Sequence, residues 1–155
     1  MNFTSSRIAK VLALVALSSL SGLASAADSS TLAVSATVKG VCKFSAASTP
    51  LAFADIDPSA TTNAVITANL LYRCTKNTAG AAITTSDGVL ATRTMTAGGG
   101  QTLPYSLSFG SAPGVGNGFG AAVQTIVVTG TITVAQFQGA EAATYSENVS
   151  LSITP

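Results

Sequence analysis

In segment after segment of this chain, apolar side chains recur at every second position. Leu32, Val34, Ala36 and Val38 alternate with Ala33, Ser35, Thr37 and Lys39. Ile66, Ala68, Leu70, Tyr72 and Cys74 alternate with Thr67, Asn69, Leu71 and Arg73, and Leu103, Tyr105, Leu107 and Phe109 with Pro104, Ser106 and Ser108. Gln124–Val134 is a long β-branched run, and Val149, Leu151 and Ile153 close the chain in the same rhythm. Successive strand residues point to opposite faces, so this period predicts half-buried β-strands. Pro104 lacks an N–H, which places its strand at an edge or at its own start. Turn residues punctuate the runs at Pro50, Asp57-Pro58, Asn77, Asp87-Gly88, Gly98–Gly100 and Gly110–Gly120, the last expected as mobile surface. No capped segment of helical period is expected after residue 26. The pattern predicts an all-β, antiparallel sandwich.

The N-terminus has a different character. Arg7 and Lys10 precede an unbroken apolar run, Val11–Leu17, and Ala24-Ser25-Ala26 fits the small-residue rule for cleavage. Residues 1–26 therefore read as a secretory signal peptide, with the cut after Ala26 or Ala27. The run is too short to span a bilayer. Export makes Cys42 and Cys74, the only cysteines, a predicted disulfide with a single possible connectivity.

Composition excludes several functions. Charged residues make up 8% of the chain, against about 25% in an ordinary soluble domain. Seven Lys and Arg against six Asp and Glu leave no basic footprint for nucleic acid. There is no His, so the many Ser and Thr have no imidazole base, and no nucleophile elbow is present. Asp55 and Asp57 would share one strand face, as half of an acid/base pair or a weak calcium site would, but an Asp-Pro turn explains them better. Gly98–Gly100 lacks the Lys-Ser/Thr and helix of a phosphate loop. Asn148-Val149-Ser150 is a weak glycosylation sequon in an expected strand. No catalytic, cofactor-binding or metal-binding set is expected.

The strand tally leaves a mismatch. An immunoglobulin-like sandwich takes about seven strands, and five or six follow the N-terminal alternating segment. The last has nothing after it to pair with. Residues 27–40 form an extension joined to the next strand, Val41–Phe44, through Gly40 alone. Such an extension either continues that strand or leaves the domain altogether. An unfilled groove beside a detachable strand is the arrangement of strand addition between subunits.

The chain resembles the spore coat protein U domain family, whose members include subunits of archaic, Csu-type chaperone–usher pili. The resemblance rests on Ala36-Thr-Val38 before Cys42, Leu51-Ala-Phe53 with Asp57-Pro58, Tyr72-Arg-Cys74-Thr75, Arg93-Thr-Met95, Leu103-Pro-Tyr105-Ser-Leu107, Val128-Thr-Gly130-Thr-Ile132 and Tyr145-Ser146. These pieces cover nearly all of the mature chain. Phe119-Gly120 stands where the family often has Trp-Gly. The resemblance implies an incomplete immunoglobulin-like domain over residues 41–155 that lacks its last strand. A periplasmic chaperone would lend a strand, an outer-membrane usher would export the subunit, and the next identical or related pilin subunit would replace the lent strand at the cell surface. Leu32, Val34, Ala36 and Val38 are the expected donor residues. Val41, Phe44, Val149, Leu151 and Ile153 are the expected edges of the receiving groove. A self-contained secreted coat protein or carbohydrate-binding module is the alternative reading.

Overall fold

The computed structural model describes residues 28–111 and 114–155; the expected signal peptide lies outside them. The chain divides between Ala36 and Thr37 into two units. In the first, residues 28–36 form no strand and every side chain is exposed.

The second unit is built of antiparallel strands: β1 (Cys42–Phe44), β2 (Ala64–Cys74), β3 (Ala82–Thr85), β4 (Arg93–Thr96), β5 (Thr102–Phe109), β6 (Gln124–Ile132) and β7 (Leu151–Thr154). A five-stranded sheet has the order β1-β2-β6-β5-β4, and β3 pairs with β7 in a two-stranded sheet. The period-two reading of β2, β5 and β6 is reproduced residue by residue. Leu70 and Tyr72 of β2, Leu103, Tyr105 and Leu107 of β5, and Ile126, Val128 and Ile132 of β6 are buried, and Ser, Thr and Asn alternate with them toward solvent, together with the exposed Val65, Leu71 and Val127. Ile83 of β3 and Leu151 of β7 pack on the same core, so the small sheet covers part of the inner face of the large one.

Seven strands follow residue 40 where five or six were expected, so the strand count alone no longer marks a missing strand. Four further expectations need correction. The strand over Leu32–Val38 is absent: residues 28–40 have no ladder partner, and without one the alternation cannot become a strand. Pro104 is not on an edge strand, since β5 lies between β6 and β4. Leu107 donates its N–H to Leu90 on the β4 side, so the N atoms of even-numbered β5 residues face β6. Pairing with β6 starts only at Ser106, and Pro104 therefore leaves no ladder bond unmade. A five-residue helix, α1 (Val134–Gln138), takes over from β6, closed by a capping box between Thr133 and Gln136; its Phe137 is buried in the core.

The fourth correction concerns Gly110–Gly120. Its described part is tied to the disulfide region, not free. Asn77 donates to Gly116 O, Gly116 to Thr78 O, and Gly118 to Cys74 O. A Cβ on Gly116 would lie 2.3 Å from Thr75 O and 2.7 Å from Cys74 Cβ, so only glycine fits there.

Cys42 and Cys74 are joined, and they face each other in the β1–β2 register. Tyr72, Ala81 and Ile126 pack around the bridge, with Ile153 against them. The bridge links residues 32 apart in sequence and thereby constrains the unfolded chain by about 3.5–4 kcal/mol. Replacing both cysteines by Ser is expected to remove roughly that much stability in urea unfolding of the mature protein, whereas an unchanged midpoint would mean that the bridge adds little.

Candidate functional site

The inner face of the five-stranded sheet is the floor of a groove of about 1390 Å³. Small-molecule pockets run to about 300–1,000 Å³, so this one has room for a length of polypeptide. Leu70, Leu103, Tyr105, Leu107, Val128 and Ile132 make the floor. One wall is residues 46–56, the other residues 140–151.

The first wall behaves like a strand that has no sheet. Leu51 and Phe53 turn inward while Ala52 and Ala54 face solvent, yet residues 46–56 make no backbone hydrogen bond to any described residue. Backbone N–H and C=O groups are strong, obligatory bonding groups, and a run of them with no partner is a template for pairing. Gly130 on β6 lets this wall come close: a Cβ there would lie 3.0 Å from both Leu51 Cδ2 and Phe53 Cζ. Behind the second wall, β7 is bonded to β3 along one edge, and no described strand pairs with its other edge.

Of the residues expected to edge a groove, Phe44, Val149 and Leu151 line it. Ile153 points instead into the cluster around the disulfide, and Val41 is exposed just before β1. The expected donor residues lie apart from any ladder: Leu32, Val34 and Val38 are 85%, 84% and 81% exposed, and Ala36 is exposed as well.

A buried ionic cluster braces the second wall, and the sequence reading missed it. Arg93 on β4 is 6% exposed. Its Nη1 donates to both Asp87 carboxylate oxygens, at 3.0 and 2.9 Å, and to Val89 O at 2.8 Å. Nη2 donates to Glu147 Oε1, and Nε donates to the Tyr105 hydroxyl at 3.2 Å. That hydroxyl donates in turn to Glu147 Oε2 at 2.6 Å. Burial opposes the Arg93 charge, but Glu147, Tyr105 and Asp87 outweigh it and its pKa lies above the ordinary value. Desolvation, then Glu147, push the Tyr105 phenol up to about 12, so it remains a donor. The Val89 N–H, the Thr85 hydroxyl and Arg93 hold the Asp87 carboxyl down to about 2. Glu147 lines the groove, so the cluster fixes the wall that carries Val149. In the sequence Asp87 reads as a turn residue, and Arg93 and Glu147 are 54 residues apart. A lone arginine in an alternating strand was the one available signal.

The remaining candidates have structural explanations. Asp57 Oδ1 accepts from the N–H of Ser59 at 2.8 Å and from its hydroxyl at 2.7 Å, which is a local Asx turn. Among the described residues, no group of His, Cys, Asp and Glu could hold a metal ion. Asn148-Val149-Ser150 lies just ahead of β7, not within a strand. No protein-family model matches this sequence, and no curated protein or solved structure is significantly similar to it.

Two outcomes are expected of the cluster. Arg93→Met leaves the Glu147 carboxylate without its cation, bonded only to the Tyr105 hydroxyl, and should cost about 2–4 kcal/mol, less than a fully buried pair because Asp87 is half exposed. The folded-state pKa of Asp87 is depressed from 3.8 to about 2. Its contribution is therefore complete above the unfolded value and lost as pH falls from about 4 toward 2. Melting temperature should drop over that window, and drop less in Asp87→Asn. An equal drop in both proteins would remove Asp87 from the account.

Proposed function

We propose that this chain is a structural subunit of an archaic chaperone–usher pilus: an immunoglobulin-like β-sandwich short of one strand, joined to its neighbours by strand exchange. The observation that carries the reading is the groove over the core, with a strand-like wall whose backbone is unpaired on one side and the open edge of β7 on the other. The exposed alternating segment around Leu32–Val38 supports it from the other direction. Seven extended residues span about 20–23 Å. Full burial of Leu32, Val34 and Val38 would contribute roughly 1.5–3 kcal/mol each, and every inserted peptide group would meet a backbone partner.

In this reading the donor residues Leu32, Val34, Ala36 and Val38 enter the groove of the preceding subunit. A slip of one residue would turn Leu32, Val34 and Val38 to solvent, so the register is strict. A periplasmic chaperone holds the groove with its own strand until an outer-membrane usher exchanges it. The contact is head-to-tail and does not close on itself, which yields an open fibre at the cell surface. Such a fibre serves adhesion and biofilm formation. It needs no cofactor and no catalytic group.

The mature protein produced alone is expected to polymerise, and deletion of Ser29–Val38 to abolish polymerisation while a chaperone complex still forms. Val34→Asp should block subunit linkage, because it puts an unpaired carboxylate into an apolar groove. A deletion variant that is a monomer with the same melting temperature as the mature chain, with or without a strand peptide, would contradict the proposal.

A further inference from the structure

The chain has few charges, and they are sorted. Within Thr37–Pro155, Arg93, Asp87 and Glu147 are engaged with one another. The other four cations gather at one end of the large sheet. Lys43 and Arg73 are cross-strand partners in the β1–β2 register. Lys39 is fixed beside them, its carbonyl accepting from the Thr75 hydroxyl at 3.1 Å, and Lys76 follows Thr75. Like charges set directly opposite on a sheet oppose its formation, and the chain keeps them all the same.

The other three carboxylates gather at the opposite end. Asp55 and Asp57 surround a hollow with Asn63 and Ala64, where β2 begins. Glu141 follows α1, whose first N–H is bound by Asn63 Oδ1, and it accepts from Gln101 on the β4–β5 turn. The eleven residues of β2 separate the two ends, a span of about 33 Å. That is several times the screening length of about 8 Å at physiological salt, so each end presents its own sign to a partner.

We infer that the basic end of each subunit docks on the acidic end of the subunit before it, so that a second copy of this chain is the partner of both charged surfaces. The inference rests on the fibre reading above and adds a contact outside the groove. Lys39 directly follows Val38, so a donor segment leaves its own body at the basic end and brings that end to the mouth of the groove it fills. Asp55 and Glu141 line that groove and belong to its acidic end. The complementary fields steer the approaching subunit so that its donor segment arrives in one direction only. Complementarity of this kind governs association rate and orientation more than final affinity.

Assembly of the mature chain, followed by light scattering over a NaCl series, tests this. Raising salt from about 20 mM to about 500 mM should slow assembly roughly tenfold. At low salt the pair Lys43→Glu and Lys76→Glu should slow it by a similar factor. A chain that also carries Asp55→Lys and Glu141→Lys should recover, because its two ends are again opposite in sign. Melting curves identify any variant that fails to fold, and the salt series of the unaltered protein then decides. Assembly at rates constant within about twofold across salt and variants would overturn the charged contact and leave the fibre reading standing. Failure to assemble at any salt, together with no uptake of a peptide of residues 28–39, would remove the fibre reading itself.

Discussion

Five strands present an apolar face that two strands are too few to cover. The inner side of β1-β2-β6-β5-β4 carries Leu70, Leu103, Tyr105, Leu107, Val128 and Ile132, and among the described residues the only paired strands above it are β3 and β7. Most other features of the fold answer that shortage. Residues 46–56 lie over the sheet without a ladder, allowed near it by the missing side chain of Gly130. Phe137 of the short helix fills the end of the core. Residues 140–151 complete the cover and leave a groove over the core. Apolar burial is the dominant favourable term in folding, and in the proposed fibre a partner's strand would supply the part that this chain leaves open.

The scarcity of charge has the same logic. In the proposed fibre, subunits would meet through backbone pairing and apolar insertion, which gain little from a uniformly charged surface. The sheet exterior carries Ser, Thr and Asn, with Val65, Leu71 and Val127 exposed among them. The charges that remain have definite positions: one buried cluster bracing the groove wall through Glu147, and two exposed groups at opposite ends of the long strands. Arg93 suits the first role because its planar fork binds Asp87, Glu147, Tyr105 and Val89 together, geometry that a lysine lacks.

How much was legible in the sequence depended on the range of the interaction involved. β2, β5 and β6 were legible because a strand with one buried face writes its period directly into the residues. The disulfide was legible because only one pairing existed. The helix α1 was not, since five residues cannot display a helical period; its one local mark is Thr133 three positions before Gln136, a capping signal. Leu32–Val38 and Leu51–Phe53 carry the same alternation as the true strands, yet neither is a strand in the isolated chain. Alternation records which face is apolar, while strand formation needs a neighbour. The ionic cluster lay out of reach because Asp87, Arg93, Tyr105 and Glu147 meet only through the tertiary fold. The close fit of Gly116 against Cys74 was hidden inside what reads as a flexible glycine loop.

The central claim is that residues 46–56 and the outer edge of β7 are backbone templates awaiting a strand. Amide hydrogen exchange measured on the 41–155 domain, alone and with a bound peptide of residues 28–39, tests it most directly. The account predicts fast exchange across residues 46–56 in the free domain and strong protection there, and along β7, once the peptide is bound. Protection of residues 46–56 already present in the free domain, unchanged by the peptide, would show that the groove is a finished wall and would contradict the account.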